Sequence, residues 1–145
     1  MKSEQVRGLI EGKVPGIVIR VPRERRVMVH APQERLMEVL GFLRDQGVTH
    51  VSTISAVDRM EEKLFEVLYH LYWENNEITV RVEISRENPV IPTVTTVFPG
   101  ALPYEREVQD LFGIRIEHIP DPRRILLPDD WPAGVYPLRK DYTVK

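Results

Sequence analysis

The residues best suited to specific chemistry are two basic pairs in the last quarter of the sequence. Arg123-Arg124 and Arg139-Lys140 each have an aspartate nearby, Asp121 and Asp141. An arginine guanidinium binds a carboxylate through two parallel hydrogen bonds, so these pairs suit the carboxylates of a partner protein. Exposed charges often do no more than solvate a loop, and that interpretation stays open for both pairs.

Aromatic and apolar side chains are interleaved with these charges. Trp131 lies between the two basic pairs, Leu138 precedes the second pair, and Tyr142 follows it. Arginine and large aromatic residues are enriched at protein–protein interfaces. The pattern therefore favours contact with another protein.

The sequence contains no constellation typical of an independent catalyst. Its four histidines are not spaced with one another or with carboxylates as metal ligands usually are. His30, His50 and His70 are interpreted as structural or surface residues, whereas for His118, in the tail, a partner contact and a surface role both stay open. Asp129 and Asp130 are adjacent, and such neighbours rarely converge on one substrate. There is no glycine-rich phosphate loop, no Gly-x-Ser-x-Gly motif and no cysteine. We therefore expect no catalytic residue, no cofactor site and no metal ligand, and so no active site in this chain.

Composition narrows the class of protein further. The chain has 145 residues, of which 42% are apolar and 29% charged, as expected for a single globular domain. Its net charge of −2 argues against a general nucleic-acid binder, and the absence of cysteine excludes disulfides and thiolate-ligated clusters within the chain. No apolar run approaches the roughly 20 residues of a membrane helix, and residues 1–12 lack the apolar core of a signal peptide.

Apolar periodicity predicts an α+β fold for the first part of the chain. Residues 36–43 carry an apolar stripe at helical spacing, and the other periodic runs alternate as strands do. Asn75-Asn76 suits a hairpin turn between the last two strands. The expected fold is a mostly antiparallel sheet with one long helix packed on its apolar face. The predicted strands are residues 17–21, 27–29, 51–57, 64–73 and 78–84.

A second helix and an aperiodic tail complete the predicted organisation. Residues 104–112 have an apolar helical stripe that ends at Gly113, and Arg106 and Asp110 have the i, i+4 spacing of a helical ion pair. Residues 114–145 show no period but contain many apolar side chains. We predict an α+β domain over residues 1–113 and an extended tail over 114–145 that lies on a partner protein.

Three ordered motifs in this region identify a family. YEREVQDLFGI at residues 104–114 resembles the signature helix of the C subunit of respiratory complex I, the NADH:quinone oxidoreductase. It also resembles the related small subunit of membrane-bound [NiFe] hydrogenases. PDPRRILLPDDW at 120–131 and PLRKDY at 137–142 are similar to the next two motifs of the family, and Pro99-Gly100-Ala101 fits as well.

This resemblance implies a non-catalytic peripheral-arm subunit of a membrane-bound, energy-converting oxidoreductase. The enzyme is either complex I-like or a ferredoxin-linked hydrogenase or sulfur reductase. The chain would dock on the hydrogenase-like large subunit, which corresponds to the D subunit of complex I, near the iron–sulfur small subunit. It would lie on the cytoplasmic side of the cell membrane and reach the membrane only through the complex. Iron–sulfur clusters, and nickel–iron in the hydrogenase case, would belong to partner subunits, with no cofactor in this chain.

The motifs also supply the residues that the resemblance implies for partner binding. They lie on the signature helix and in the tail. They are Glu105, Arg106, Glu107, Asp110, Arg123, Arg124, Trp131, Leu138, Arg139, Lys140, Asp141 and Tyr142.

The sequence departs from the family pattern at two histidines. His118 lies one place earlier than the family's histidine, and Tyr136 stands where the last motif usually has a histidine. The last motif ends close to Lys145, and this shortness resembles the archaeal or hydrogenase-type branch. An alternative function is a small stand-alone RNA- or protein-binding module, against which the net charge argues.

Overall fold

The structure, a computed structural model, describes residues 1–144 and contains a five-stranded main sheet. Its strands are β1 (Val18–Arg23), β2 (Arg26–His30), β3 (Val51–Arg59), β4 (Leu64–Trp73) and β5 (Asn76–Ser85). They lie in the order β1-β2-β5-β4-β3, and neighbours run antiparallel except for the parallel β2–β5 pair. The predicted α+β class with a mostly antiparallel sheet is confirmed.

The turn between β4 and β5 lies one residue earlier than predicted. Glu74 and Asn75 have φ of 50° and 63°, as both central residues of a type I′ turn require. Asn76 already belongs to β5, paired with Trp73. Its buried side chain accepts a hydrogen bond from Ser3 Oγ (2.7 Å), a contact that no local pattern reveals.

Three helices contribute apolar side chains to the core on one face of the sheet. They are α1 (Ser3–Ile10), α2 (Leu36–Asp45) and α3 (Leu102–Phe112). The predicted helical stripe is the buried face of α2, which is ten residues long and shares one core with the sheet. The sequence analysis missed α1, because the helix has only eight residues, of which three are large and apolar. The side chains of Val6 and Ile10 form its inner face and are buried in the core.

The opposite face of the sheet is polar. Glu66 is only 6% exposed and lies 3.2 Å from Arg59 and 3.5 Å from Arg81. His70 lies within hydrogen-bonding distance of the hydroxyls of Ser55 (2.9 Å) and Thr79 (3.2 Å). His70 thus has a structural role, as the sequence analysis expected of it.

A second, two-stranded sheet joins the start of the predicted tail to the domain. It pairs β6 (Val90–Pro92) in parallel with β7 (Arg115–Glu117). Ile114 and Ile116 are buried in the core. Gly113, at φ +72°, ends α3 and directs the chain into β7. The division at residue 113 as a boundary between separately folding parts stays a prediction.

Candidate partner-docking surface

The chain after β7 folds back over α3 and forms an irregular segment along it. We call residues 120–142, which contain the second and third family motifs, the strap. Asp110 of α3 is 6% exposed, and its Oδ2 accepts the backbone N–H groups of Ile125 (2.8 Å) and Leu126 (3.0 Å). A buried carboxylate requires such donors, so Asp110 binds the strap of its own chain, and a partner contact of Asp110 stays a prediction.

Arg106 binds the same part of the strap. Its Nε and Nη2 donate to the carbonyl oxygens of Arg123 (2.8 Å) and Arg124 (3.0 Å). The predicted ion pair between Arg106 and Asp110 is therefore wrong. Both side chains point to the strap, where each satisfies backbone groups that have no partner in regular secondary structure.

Glu105 also has an internal role. It is 1% exposed and accepts hydrogen bonds from Thr93 Oγ1 (2.6 Å) and the backbone N–H of Val94 (2.8 Å). Burial raises the pKa of its carboxyl, and these two hydrogen bonds oppose that rise. The carboxylate of Glu105 therefore connects α3 to the segment after β6, and a partner contact of Glu105 stays a prediction.

The arginines of the strap have acceptors within the chain. Arg123 is exposed and binds Asp121 through two hydrogen bonds of 2.8 and 2.9 Å. This pairing holds the pKa of Asp121 well below its usual range. Arg124 Nη1 donates to the carbonyl oxygens of Pro128 and Trp131, both at 2.8 Å. A partner contact of either arginine stays a prediction.

A second set of contacts fixes the end of the strap. The backbone N–H of Leu138 donates to Leu111 O (3.0 Å), and Arg139 Nε donates to Phe112 O (2.6 Å). The Arg139 guanidinium also lies over the rings of Phe65 (5.2 Å) and Tyr136 (4.7 Å). Arg139 is therefore occupied inside the molecule. Tyr136, at the position of the family's histidine, packs against this guanidinium.

Two residues outside the motifs complete this second set, and the sequence analysis missed both. Asp58 of β3 accepts the backbone N–H of Lys140 (2.8 Å), and Arg86 lies 3.2 Å from the carboxylate of Asp141. One signal was present in the sequence. Asp58 shares a strand face with Ile54 and Ala56, and a charge at such a position requires a partner.

The outer surface of the strap is rich in apolar and aromatic groups. Leu126 and Leu138 are 55% and 51% exposed. The rings of Trp131 and Tyr142 lie 6.3 Å apart and line a cavity of about 550 Å³. Glu107 of α3 is half-buried and lines, with Leu138, a second groove of about 240 Å³. Leu126 is not among the predicted partner-binding residues. Those that keep an accessible side chain are Glu107, Arg123, Trp131, Leu138, Lys140, Asp141 and Tyr142.

The described chain shows neither a membrane span nor a metal centre. Within residues 1–144, no helix is long and apolar enough to cross a bilayer. Over the same residues, no three histidine or acidic side chains gather as they do around a metal ion.

Comparison with known proteins identifies a family whose shared sequence includes the strap. The family model described as the respiratory-chain NADH dehydrogenase 30 Kd subunit matches residues 29–145, which include α3 and the strap. The chain belongs to this family. The match begins after α1, within β2, so the family's shared part includes every element that contacts the strap. The predicted family is confirmed.

Individual relatives come from more than one kind of complex. The C subunit of NADH-quinone oxidoreductase from Roseiflexus castenholzii is 40% identical over 119 residues, which cover 78% of this chain and 67% of that protein. Membrane-bound hydrogenase subunit beta of Pyrococcus furiosus is 32% identical over 148 residues, 97% of this chain and 86% of the relative. These relatives confirm the predicted class, a subunit of a membrane-bound oxidoreductase complex, and give no support to a stand-alone RNA-binding module.

A solved structure and a longer relative add context. A chain in the membrane-bound sulfane sulfur reductase, an archaeal respiratory membrane complex, matches with a TM-score of 0.88 and 30% identity, over 97% of this chain and 85% of that one. The C/D subunit of NADH-quinone oxidoreductase from Edwardsiella ictaluri is 36% identical over 131 residues. That alignment covers 81% of this chain and 21% of the relative, so the part similar to this chain is about a fifth of a polypeptide named for both the C and D subunits.

Proposed function

We propose that this chain is a structural subunit that docks through its strap on the hydrogenase-like large subunit of a membrane-bound oxidoreductase. The exposed apolar surface of the strap supports this most directly. Leu126 is more than half exposed, although hydrogen bonds to Asp110 fix its backbone. A fixed segment loses little conformational entropy on binding, and burial of its leucines in an interface contributes about 25 cal/mol per Å².

The chemistry of the surface suits a folded protein as the partner. Apolar groups such as Leu138 lie beside the Trp131–Tyr142 pair, and charges of both signs border them. This mixture resembles the apolar centre and polar rim of protein interfaces. A phosphate backbone requires an excess of cations, which the net charge of −2 does not provide.

The relatives support a large subunit as the partner. The C/D protein carries a C-like and a D-like part in one polypeptide, which supports direct contact between the corresponding separate subunits. The proposal includes the iron–sulfur small subunit as a neighbour of the large subunit, on the cytoplasmic side of the cell membrane. It also assigns the iron–sulfur clusters, and nickel–iron in a hydrogenase, to those partners.

A matched pair of substitutions tests this docking surface. Leu126→Asp introduces a charge on the strap, where Leu126 is 55% exposed. Leu9→Asp makes the same change on α1, where Leu9 is 41% exposed and lies outside the residues that the family model matches. Each variant is co-expressed with the large subunit from the same genome, and the amount that co-purifies is measured at moderate salt.

We expect Leu126→Asp to reduce co-purification at least tenfold, about 1.4 kcal/mol of binding free energy, and Leu9→Asp to change it less than twofold. Thermal melting of each isolated variant is the control, because exposed substitutions usually change stability by no more than about 0.5 kcal/mol. Equal co-purification of the two variants would overturn the proposed docking surface.

A further inference from the structure

A buried ion pair lies under the end of the strap. Asp58, near the end of β3, is 3% exposed. Its two carboxylate oxygens accept parallel hydrogen bonds from Arg86 Nε (2.8 Å) and Nη2 (3.1 Å). Arg86 follows β5 directly, and its backbone N–H donates to Lys63 O (3.1 Å). The backbones of both residues are therefore held in place, Asp58 in β3 and Arg86 at the end of β5.

The same pair binds two consecutive residues of the strap. Asp58 Oδ2 also accepts the backbone N–H of Lys140 (2.8 Å), and Arg86 Nη2 lies 3.2 Å from Asp141 Oδ2. Four groups therefore form a chain in which donors and acceptors alternate. They are the Lys140 N–H, the Asp58 carboxylate, the Arg86 guanidinium and the Asp141 carboxylate. We call these residues, Asp58, Arg86, Lys140 and Asp141, the latch.

Phe65 completes the packing of the latch. The guanidiniums of Arg86 and Arg139 both lie over its ring, at 5.6 and 5.2 Å from the ring centre. Phe65 is fully buried, so the ring provides a fixed surface for both cations. The strap is thus attached at two places, by Arg106 and Asp110 near residue 125 and by the latch near residue 140.

The Asp58 carboxylate provides an acceptor for a backbone N–H of the strap that has none in regular secondary structure. Lys140 lies in an irregular segment whose backbone N–H groups have no ladder partner. Burial opposes ionisation of Asp58, but the Arg86 guanidinium and the Lys140 N–H outweigh it and hold the pKa of Asp58 below its ordinary value. The carboxylate is therefore ionised at neutral pH and accepts from Arg86 and Lys140 together.

We infer that Asp58 and Arg86 are positioning residues for docking, because their ion pair fixes the end of the strap before the partner binds. They lie more than 50 residues upstream of the strap contacts they make, outside the helix and tail motifs. The consequence for docking rests on the proposed function. The latch itself does not, since every contact lies within this chain.

Backbone amide exchange in the full chain, measured by NMR, tests the latch without a partner. The Lys140 amide should exchange at least tenfold more slowly than the amide of Thr143, which is exposed. Asp58→Asn and Arg86→Gln should each remove at least tenfold of that protection. Amides of the β4–β5 pair, such as Val67, should change less than twofold. Asp130→Asn removes an exposed strap carboxylate and is the matched control, with no expected change.

Conservative replacement separates the ion pair from general packing. Arg86→Lys restores the cation without the parallel hydrogen bonds, and should recover part of the protection that Arg86→Gln loses. A Lys variant no better protected than the Gln variant contradicts the role of the ion pair. An unprotected Lys140 amide in the parent chain overturns the latch outright, even if a variant fails to fold.

Co-purification with the large subunit then tests the consequence for docking. We expect Asp58→Asn and Arg86→Gln to weaken it about tenfold, and Asp130→Asn to leave it unchanged. Faster Lys140 exchange with undiminished co-purification would overturn the positioning role alone. Failure of the parent chain to co-purify would overturn the proposed function and leave the latch established by its exchange.

Discussion

At the residue scale, two of the three acidic side chains of α3 act inside the molecule. Glu105 and Asp110 belong to the family motif, yet both are buried and both accept backbone N–H groups of other segments. Because unpaired backbone donors are costly when buried, each carboxylate stabilises a segment that has no regular secondary structure. The motif on α3 thus specifies how the chain folds around the helix. The exposed apolar side chains of the proposed docking surface lie on the strap.

Asp110→Asn tests this role. The amide keeps the shape and one acceptor but loses the charge, and hydrogen bonds to a charged group contribute about 1.5–3 kcal/mol. We expect a loss of about 1–2 kcal/mol in unfolding free energy, measured with denaturant, and faster exchange of the Ile125 and Leu126 amides. Asp130→Asn is the control. Unchanged exchange at Ile125 would show that the carboxylate does not fix the strap.

At the element scale, the strap packs against the end of α3 at Gly113. Gly113 has φ +72°, and a Cβ built there would overlap the ring of Tyr136. Tyr136 in turn lies against the Arg139 guanidinium, at 4.7 Å. The helix end therefore requires glycine both for its backbone conformation and for the close approach of the strap.

Gly113→Ala should therefore affect the strap more than the helix. The left-handed conformation costs alanine about 1–2 kcal/mol, and the Tyr136 ring must also move. We expect a drop in melting temperature together with faster exchange of the Leu138 amide. Gly100→Ala is the matched control, because a Cβ at Gly100 meets no atom within 4 Å. Equal effects of the two substitutions would contradict the coupling of helix end and strap.

At the scale of the whole molecule, the core extends past α3 into β7. Ile114 and Ile116 are fully or almost fully buried, and β7 pairs with β6. A chain that ends at residue 113 loses both isoleucines from the core, whereas a chain that ends at residue 119 retains them. Truncation at residue 119 thus removes the strap and leaves the core intact, whereas truncation at residue 113 also removes part of the core.

We expect the 1–119 chain to unfold cooperatively and to lose co-purification with the large subunit. The 1–113 chain should be less stable than 1–119 by about 3 kcal/mol or more, because each buried isoleucine contributes about 1.5–3 kcal/mol. Denaturant unfolding of both chains measures the difference. Equal stability would place β7 outside the folding unit, and co-purification of the 1–119 chain would show that the strap is not the main contact.

The sequence by itself determined the periodic elements and the family. Alternation over β4 and β5 and the stripe over α2 are local consequences of burying one face, so they are legible without a structure. The three motifs were specific because their residues occur in a fixed order. The predicted turn, Asn75-Asn76, lies one residue after the observed turn, Glu74-Asn75. Asn76 is held in β5 by a buried hydrogen bond from Ser3, and a contact between residues so far apart in sequence leaves no local pattern.

Only the tertiary structure decided where the aperiodic part lies and which charges act inside the molecule. An irregular segment satisfies its backbone groups through side chains that can come from anywhere in the chain, as Asp58 and Asp110 show. Spacing on a helix suggested an Arg106–Asp110 pair, but the strap provided better partners for both. Long-range hydrogen bonds leave no period in a sequence, and for that physical reason the path of the strap required the fold.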